Sequence, residues 1–226
     1  VIRFLPALLL GALASAPASA QETVDIGLIK NKDVAVVQKL LYPKDGASEL
    51  GVAVGWMPFD RFTTTPMASL RYARFLSEEW GVEVDVSGGW SLKNATYKEL
   101  ESPAYGIQPD AYRYLTGFAA DLQWSPIYAK TNWRGQRVLH HDVYALGGIA
   151  ATVEQAMMPD GDIAFSPGAT VGVGMRFYLK SGDAIRVQLR DDLLIQRRAK
   201  TEDVQSAFFK QNVALTVGWS FMKRKG

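Results

Sequence analysis

The sequence predicts an all-β protein: an eight-stranded antiparallel transmembrane β-barrel with a short N-terminal periplasmic segment. Three observations carry this expectation. Apolar and polar residues alternate with a period of two through most of the chain. The joins between these stretches alternate short and long, so the short joins all fall at one end. The chain also opens on a secretory leader, which directs it out of the cytoplasm.

The leader is read over residues 1–20. Arg3 is a basic start, Phe4 to Leu13 an apolar run, and Ala18-Ser19-Ala20 a small-residue cleavage pattern. Pro6 and Pro17 break the leader segment, and it is too short for a membrane anchor. Residues 21–47 form the periplasmic segment. Val34, Val37, Leu40 and Leu41 share a helical face there, which fits a short helix or a flexible leader with a helical turn or two.

The barrel is expected over 48–221, with 222–226 as a tail. Leu50, Val52, Val54 and Trp56 oppose Gly51, Ala53 and Gly55 in the first strand. Ala68, Leu70 and Tyr72 oppose Ser69, Arg71 and Ala73 in the second. Val82, Val84, Val86, Trp90 and Leu92 oppose Glu83, Asp85, Ser87, Gly89 and Ser91 in the third. Phe118, Ala120, Leu122 and Trp124 oppose Asp121, Gln123 and Ser125 in the fourth. The fifth, 140–151, rests on spacing, because Tyr144 to Leu146 is apolar on both sides. The sixth alternates from Ala169 to Leu179, the seventh from Ile185 to Arg190, and the last is NVALTVGWSF, 212–221. Asp191 falls among the outward residues; a bulge there, or a place above the bilayer, would account for it.

Short joins are expected at 76–81 and 180–183, and an intermediate one near 130–137. Longer ones are expected at 57–67, 93–116, 151–165 and 196–206. Short turns on the periplasmic side and long outer loops are the habit of outer-membrane barrels.

Composition removes other classes. The 226 residues carry a formal charge of +2 and no cysteine. Nothing in that balance favours nucleic acid, and disulfides, lipid attachment at cysteine and thiolate metal sites are excluded. After the leader no apolar run approaches a membrane helix, which leaves a barrel untouched because its strands average out in hydropathy.

Alternation sends Arg71, Glu83, Asp85, Asp121, Arg176, Arg186 and Arg190 into the lumen. Eight strands enclose a space that side chains fill, so opposite charges there are expected to pair and plug it. Aromatics gather at strand ends: Trp56 and Trp90 towards the long loops, Trp80, Tyr128, Phe177, Trp219 and Phe221 towards the short turns, as two interfacial girdles. Candidates for catalysis are few. His140 and Asp142, two apart, point the same way, whereas His141 points away. No serine partner, metal-ligand spacing or phosphate loop accompanies them, so neither a catalytic residue nor a cofactor is assigned.

Taken together, VVQKLLYPKDGASEL, FLSEEWGVEVDVSGGWSL, WSPIYAK, HHDVYALGGIA, GMRFYLKSGDAIRVQLRDD and the closing strand resemble the outer-membrane β-barrel domain family of gliding, predatory and related proteobacteria. The resemblance covers most of the mature chain. It implies the outer membrane and a barrel, and for some members a gliding-motility envelope complex. Phe221 is similar to the terminal aromatic read by the barrel-assembly machinery, with MKRKG following it as a departure. The function expected is a non-enzymatic structural or interaction anchor among outer-membrane lipid and envelope proteins. A small barrel enzyme acting on lipid A or phospholipid, or a narrow channel, is the alternative.

Overall fold

Nine strands and one short helix are seen in the computed structural model, which describes residues 41–133, 137–157, 161–197 and 207–224. The leader at 1–20 and most of the 21–47 segment lie outside the described residues. The elements are β1 (Ser48–Met57), β2 (Thr63–Phe75), β3 (Trp80–Gly89), β4 (Leu92–Lys93), α1 (Ala95–Glu101), β5 (Tyr112–Trp133), β6 (Arg137–Ala156), β7 (Ile163–Tyr178), β8 (Ala184–Arg197) and β9 (Ala207–Lys223).

Each long strand pairs antiparallel with the next, and β1 pairs with β9 as well as β2. That last pairing closes an eight-strand ring and leaves it no edge. β4 is a short addition to β2 through Thr63↔Lys93 and Thr64↔Leu92. Trp90 and Leu92 therefore stand beyond β3 and not within it. Asn94 starts α1 by accepting a hydrogen bond from the Tyr97 backbone N–H, and Tyr97 is the residue the helix buries. Gly182, at φ 91°, makes the β7–β8 turn, a conformation that side chains with a Cβ rarely adopt.

The register fixes the barrel's shape. A row followed across pairs from Ser48 runs through Arg74, Val82, Leu122, Gly147, Val171, Asp191 and Val213. It returns to β1 at the level of Pro58, ten residues up. A shear of this size tilts strands steeply and leaves an interior about one layer of side chains wide.

One irregularity matters for the site. A register shift between Trp124 and Ile127 inserts one residue into β5. Below it the faces exchange: Ile127 opposes the outward Val143, and Tyr128 opposes the inward Asp142. By contrast, pairing runs without a break through Asp191, which opposes Val171 and Val213. No bulge relieves Asp191; it points outward. The weak alternation of β6 also resolves. Tyr144 and Leu146 are both buried inside, and the outward Ala145 and Gly147 are small.

Polarity is inverted relative to a soluble domain. Leu50, Val54, Leu70, Val84, Phe118 and Ile149 are exposed, whereas Arg71, Glu83, Asp85, Arg176 and Arg186 are buried. A closed ring with an apolar exterior and a polar interior satisfies every ladder hydrogen bond internally and presents hydrocarbon to lipid. This is a transmembrane barrel of the outer membrane.

Candidate functional site

The lumen holds the charged chemistry of this chain. Alternation aims one residue in two at a narrow interior, and each charge there must find a partner in place of water. At the short-turn end, Lys44 reaches in from ahead of β1 and sets Nζ 2.6 Å from Asp142 Oδ2. Burial draws its pKa below the ordinary value, and Asp142 pulls less strongly the other way. Arg176 meets the same carboxylate at 2.8 Å and Glu49 at 3.1 Å. The Tyr178 hydroxyl donates to Asp142 at 3.3 Å.

One level up, Arg186 bridges Glu49 at 3.1 Å and Glu83 at 2.6 Å. Its Nε donates to the Tyr144 hydroxyl at 2.6 Å, and that hydroxyl donates to Gln188 at 3.0 Å. The Tyr144 ring fits because its cross-strand neighbour is Gly174, where a Cβ would lie 2.2 Å from the tyrosine oxygen. Higher again, Arg71 holds Asp85 at 2.9 Å and donates to Thr216. Arg190 joins Asp85 at 3.2 Å to Asp121. Near the long-loop end, Lys210 lies 2.7 Å from Glu154, which also accepts from Gln196 and Asn212. Charged pairs thus climb the barrel from one mouth to the other, and two interior voids among them measure only about 10 Å³ each.

All seven charges assigned to the lumen from sequence lie in this array. Lys44, Glu49, Asp142, Glu154, Asp192 and Lys210 complete it. Glu49 had a signal, since it precedes Gly51 by two. Glu154 sits in a strand end that reads as a loop, Lys210 lies between the last loop and the closing strand as read from sequence, and Lys44 follows no period at all.

Of the girdle residues, Trp56, Trp80, Trp90, Trp219 and Phe221 are exposed on the outer face and Phe177 is half-buried there. Tyr128 is a correction. The single-residue bulge turns it inward, where its hydroxyl pairs with His140 Nδ1 at 2.9 Å. His140 also meets the Tyr42 ring edge-on at 5.4 Å, and Tyr42 stacks on Tyr178 at 5.0 Å. His140 is thus part of an aromatic collar at the short-turn mouth, while Asp142 is held by Lys44 and Arg176. Among the described residues, no group of His, Asp and Glu is placed to hold a metal ion.

No family model and no curated protein matches this chain. Among solved structures it is similar to the N-terminal β-barrel domain of Pseudomonas aeruginosa OprF, at 13% identity over 78% of this chain and 98% of that one, TM-score 0.43. Neisserial surface protein A gives 9% identity over 77% and 94%, TM-score 0.41. The attachment invasion locus protein Ail of Yersinia pestis gives 14% over 78% and 99%, TM-score 0.37.

Proposed function

We propose that this barrel is a closed, non-enzymatic anchor of the outer membrane, whose lumen is a structural plug and whose ends and outer wall meet partners. The ladder of ion pairs from Lys44 to Lys210 carries the reading. A pore would need a continuous file of water. Here guanidinium groups bridge carboxylates across the lumen, Lys44 caps one end, and two voids between them hold about one water each. The resemblance to barrels of gliding-motility complexes supports placing such an anchor in an envelope assembly. Phe221, exposed at the end of β9, supports insertion by the barrel-assembly machinery.

Planar-bilayer recording on the refolded protein is the test. A silent bilayer is expected, with leak arising only when Arg186 or Asp85 is replaced by alanine. Steady single-channel steps from the unaltered protein would replace the anchor with a narrow channel. Release of fatty acid from lipid A or phospholipid micelles would replace it with an enzyme.

A further inference from the structure

A trough crosses the outer wall where β9, β1, β2 and β3 lie side by side. The shear of the barrel makes each step round the ring worth about one and a quarter residues of height. On that scale Trp80, Phe177 and Phe221 share one level to within about a residue, and they mark the lower membrane boundary. Above it, Val54, Ala68 and Gly88 are neighbours on β1, β2 and β3, all turned outward. The row below them carries Trp219, Val52, Leu70 and Val86, and the row above carries Trp56 and Pro66. Larger groups on both sides of a row of small ones leave a groove of about 710 Å³, and none of its lining residues is charged. At its floor a Cβ on Gly88 would meet nothing nearer than 3.8 Å. A groove between the two girdles is filled from the bilayer, since no bulk water reaches it.

The foot of this wall is basic. Arg74, Ser48 and Lys223 oppose one another on β2, β1 and β9 and face outward. Ser48 stands at the boundary to within about a residue, Arg74 about one residue above it and Lys223 about two below. Arg74 Nη1 donates to Ser48 Oγ at 2.8 Å, and the Tyr72 hydroxyl donates to the same oxygen at 3.5 Å. Ser48 keeps its own hydrogen to give. Among the described residues neither cation meets a carboxylate. Glu78, in the turn after β2, is held by the backbone N–H groups of Lys44 and Asp45. From Ser48 to Val54 is about 20 Å along β1, within the reach of an acyl chain that starts at the boundary.

We propose that this wall seats one anionic phospholipid of the periplasmic leaflet, its phosphate held by Arg74, Ser48 and Lys223 and one acyl chain laid in the groove over Ala68 and Gly88. A guanidinium, an ammonium and a free hydroxyl are the donors a phosphate takes. Two cations with no acid beside them favour a headgroup of net negative charge over a zwitterion. A second protein in the groove would use the apolar trough and leave the two cations at its foot unanswered. The lipid touches β9, β1 and β2 together, the strands on either side of the closing pair. The inference goes beyond the anchor reading and holds whether or not the lumen is closed.

Native mass spectrometry of the full-length protein, in detergent with an equimolar mixture of phosphatidylglycerol and phosphatidylcholine, tests the seat. A single phosphatidylglycerol should stay on each barrel, preferred over phosphatidylcholine. Arg74→Gln combined with Lys223→Gln should lower its retention about tenfold and abolish the preference. Lys180→Gln, a cation at the same end on the β7–β8 turn, should change neither. Ala68→Phe fills the groove while leaving both cations, and should lower retention to a similar extent. None of these residues belongs to the ion-pair ladder, and gel mobility before and after boiling confirms that each variant is folded. Equal retention of the two lipids by the unaltered protein overturns the seat without recourse to any variant. So does retention that the paired Gln substitutions leave unchanged, or that Lys180→Gln lowers equally, either of which marks lipid held anywhere along the wall. Unchanged retention in Ala68→Phe overturns the acyl groove. Displacement of the lipid by millimolar inorganic phosphate overturns the phospholipid and leaves a general anion site, and a lipid-free dimer gives the groove to a second copy of the chain instead.

Discussion

Arg186 touches Glu49, Glu83, Tyr144 and Gln188, which come from β1, β3, β6 and β8. One guanidinium therefore ties four strands across the lumen. Arg186→Ala leaves two carboxylates short of a counter-charge in a dry interior. The expected loss is about 3–5 kcal/mol in urea unfolding from lipid vesicles. Arg186→Lys should recover only part of it, because an ammonium cannot hold a fork of acceptors. Lys44→Ala should cost less, since Asp142 keeps Arg176 and Tyr178. The inward arginines and acids could be read from period-two alternation, because parity alone decides which face a strand residue occupies. Partners could not. Arg190 meets Asp121 and Arg71 meets Thr216 through shear and packing, which no local pattern encodes. Lys44 was invisible for the same reason: its position is set by Asp142, almost a hundred residues away.

Strand by strand, the outer face is where lipid makes its demand. Val84, in the middle of β3, is about half exposed between Val82 and Val86. Val84→Arg should reduce folding stability in bilayers by roughly 2–4 kcal/mol, whereas Val84→Ile should change little. Equal, negligible effects in a vesicle-folding assay would mean that β3 does not face hydrocarbon. The eight strands were legible because each repeats apolar and polar residues over several pairs. Their ends were less so. β5 and β6 run to 22 and 20 residues, past the alternating stretch, since cross-strand hydrogen bonds continue where lipid no longer sorts side chains. The β5 bulge between Trp124 and Ile127 has one sign in the sequence, Pro126, which cannot donate to a ladder, but only the partner strand shows that a residue is skipped there and the faces exchange. α1 was hidden inside a stretch that read as loop, although Asn94 is an ordinary helix cap.

For the molecule as a whole, a ring without edges predicts outer-membrane fractionation and a gel mobility that shifts on boiling; recovery in the soluble periplasm would contradict it. The seam between β1 and β9 has a further consequence. Glu49 lies on β1, yet it accepts from Ser220 on β9 at 2.6 Å and pairs with Arg176 and Arg186. None of these contacts exists until the first and last strands meet, the most distant pairing the chain makes. A half-open sheet would strand two arginines and bare its backbone to lipid at the same moment. Parting the seam is therefore a single steep event with no comfortable way station. The folded barrel should persist for a time set by the rate of that event, long after conditions cease to favour it.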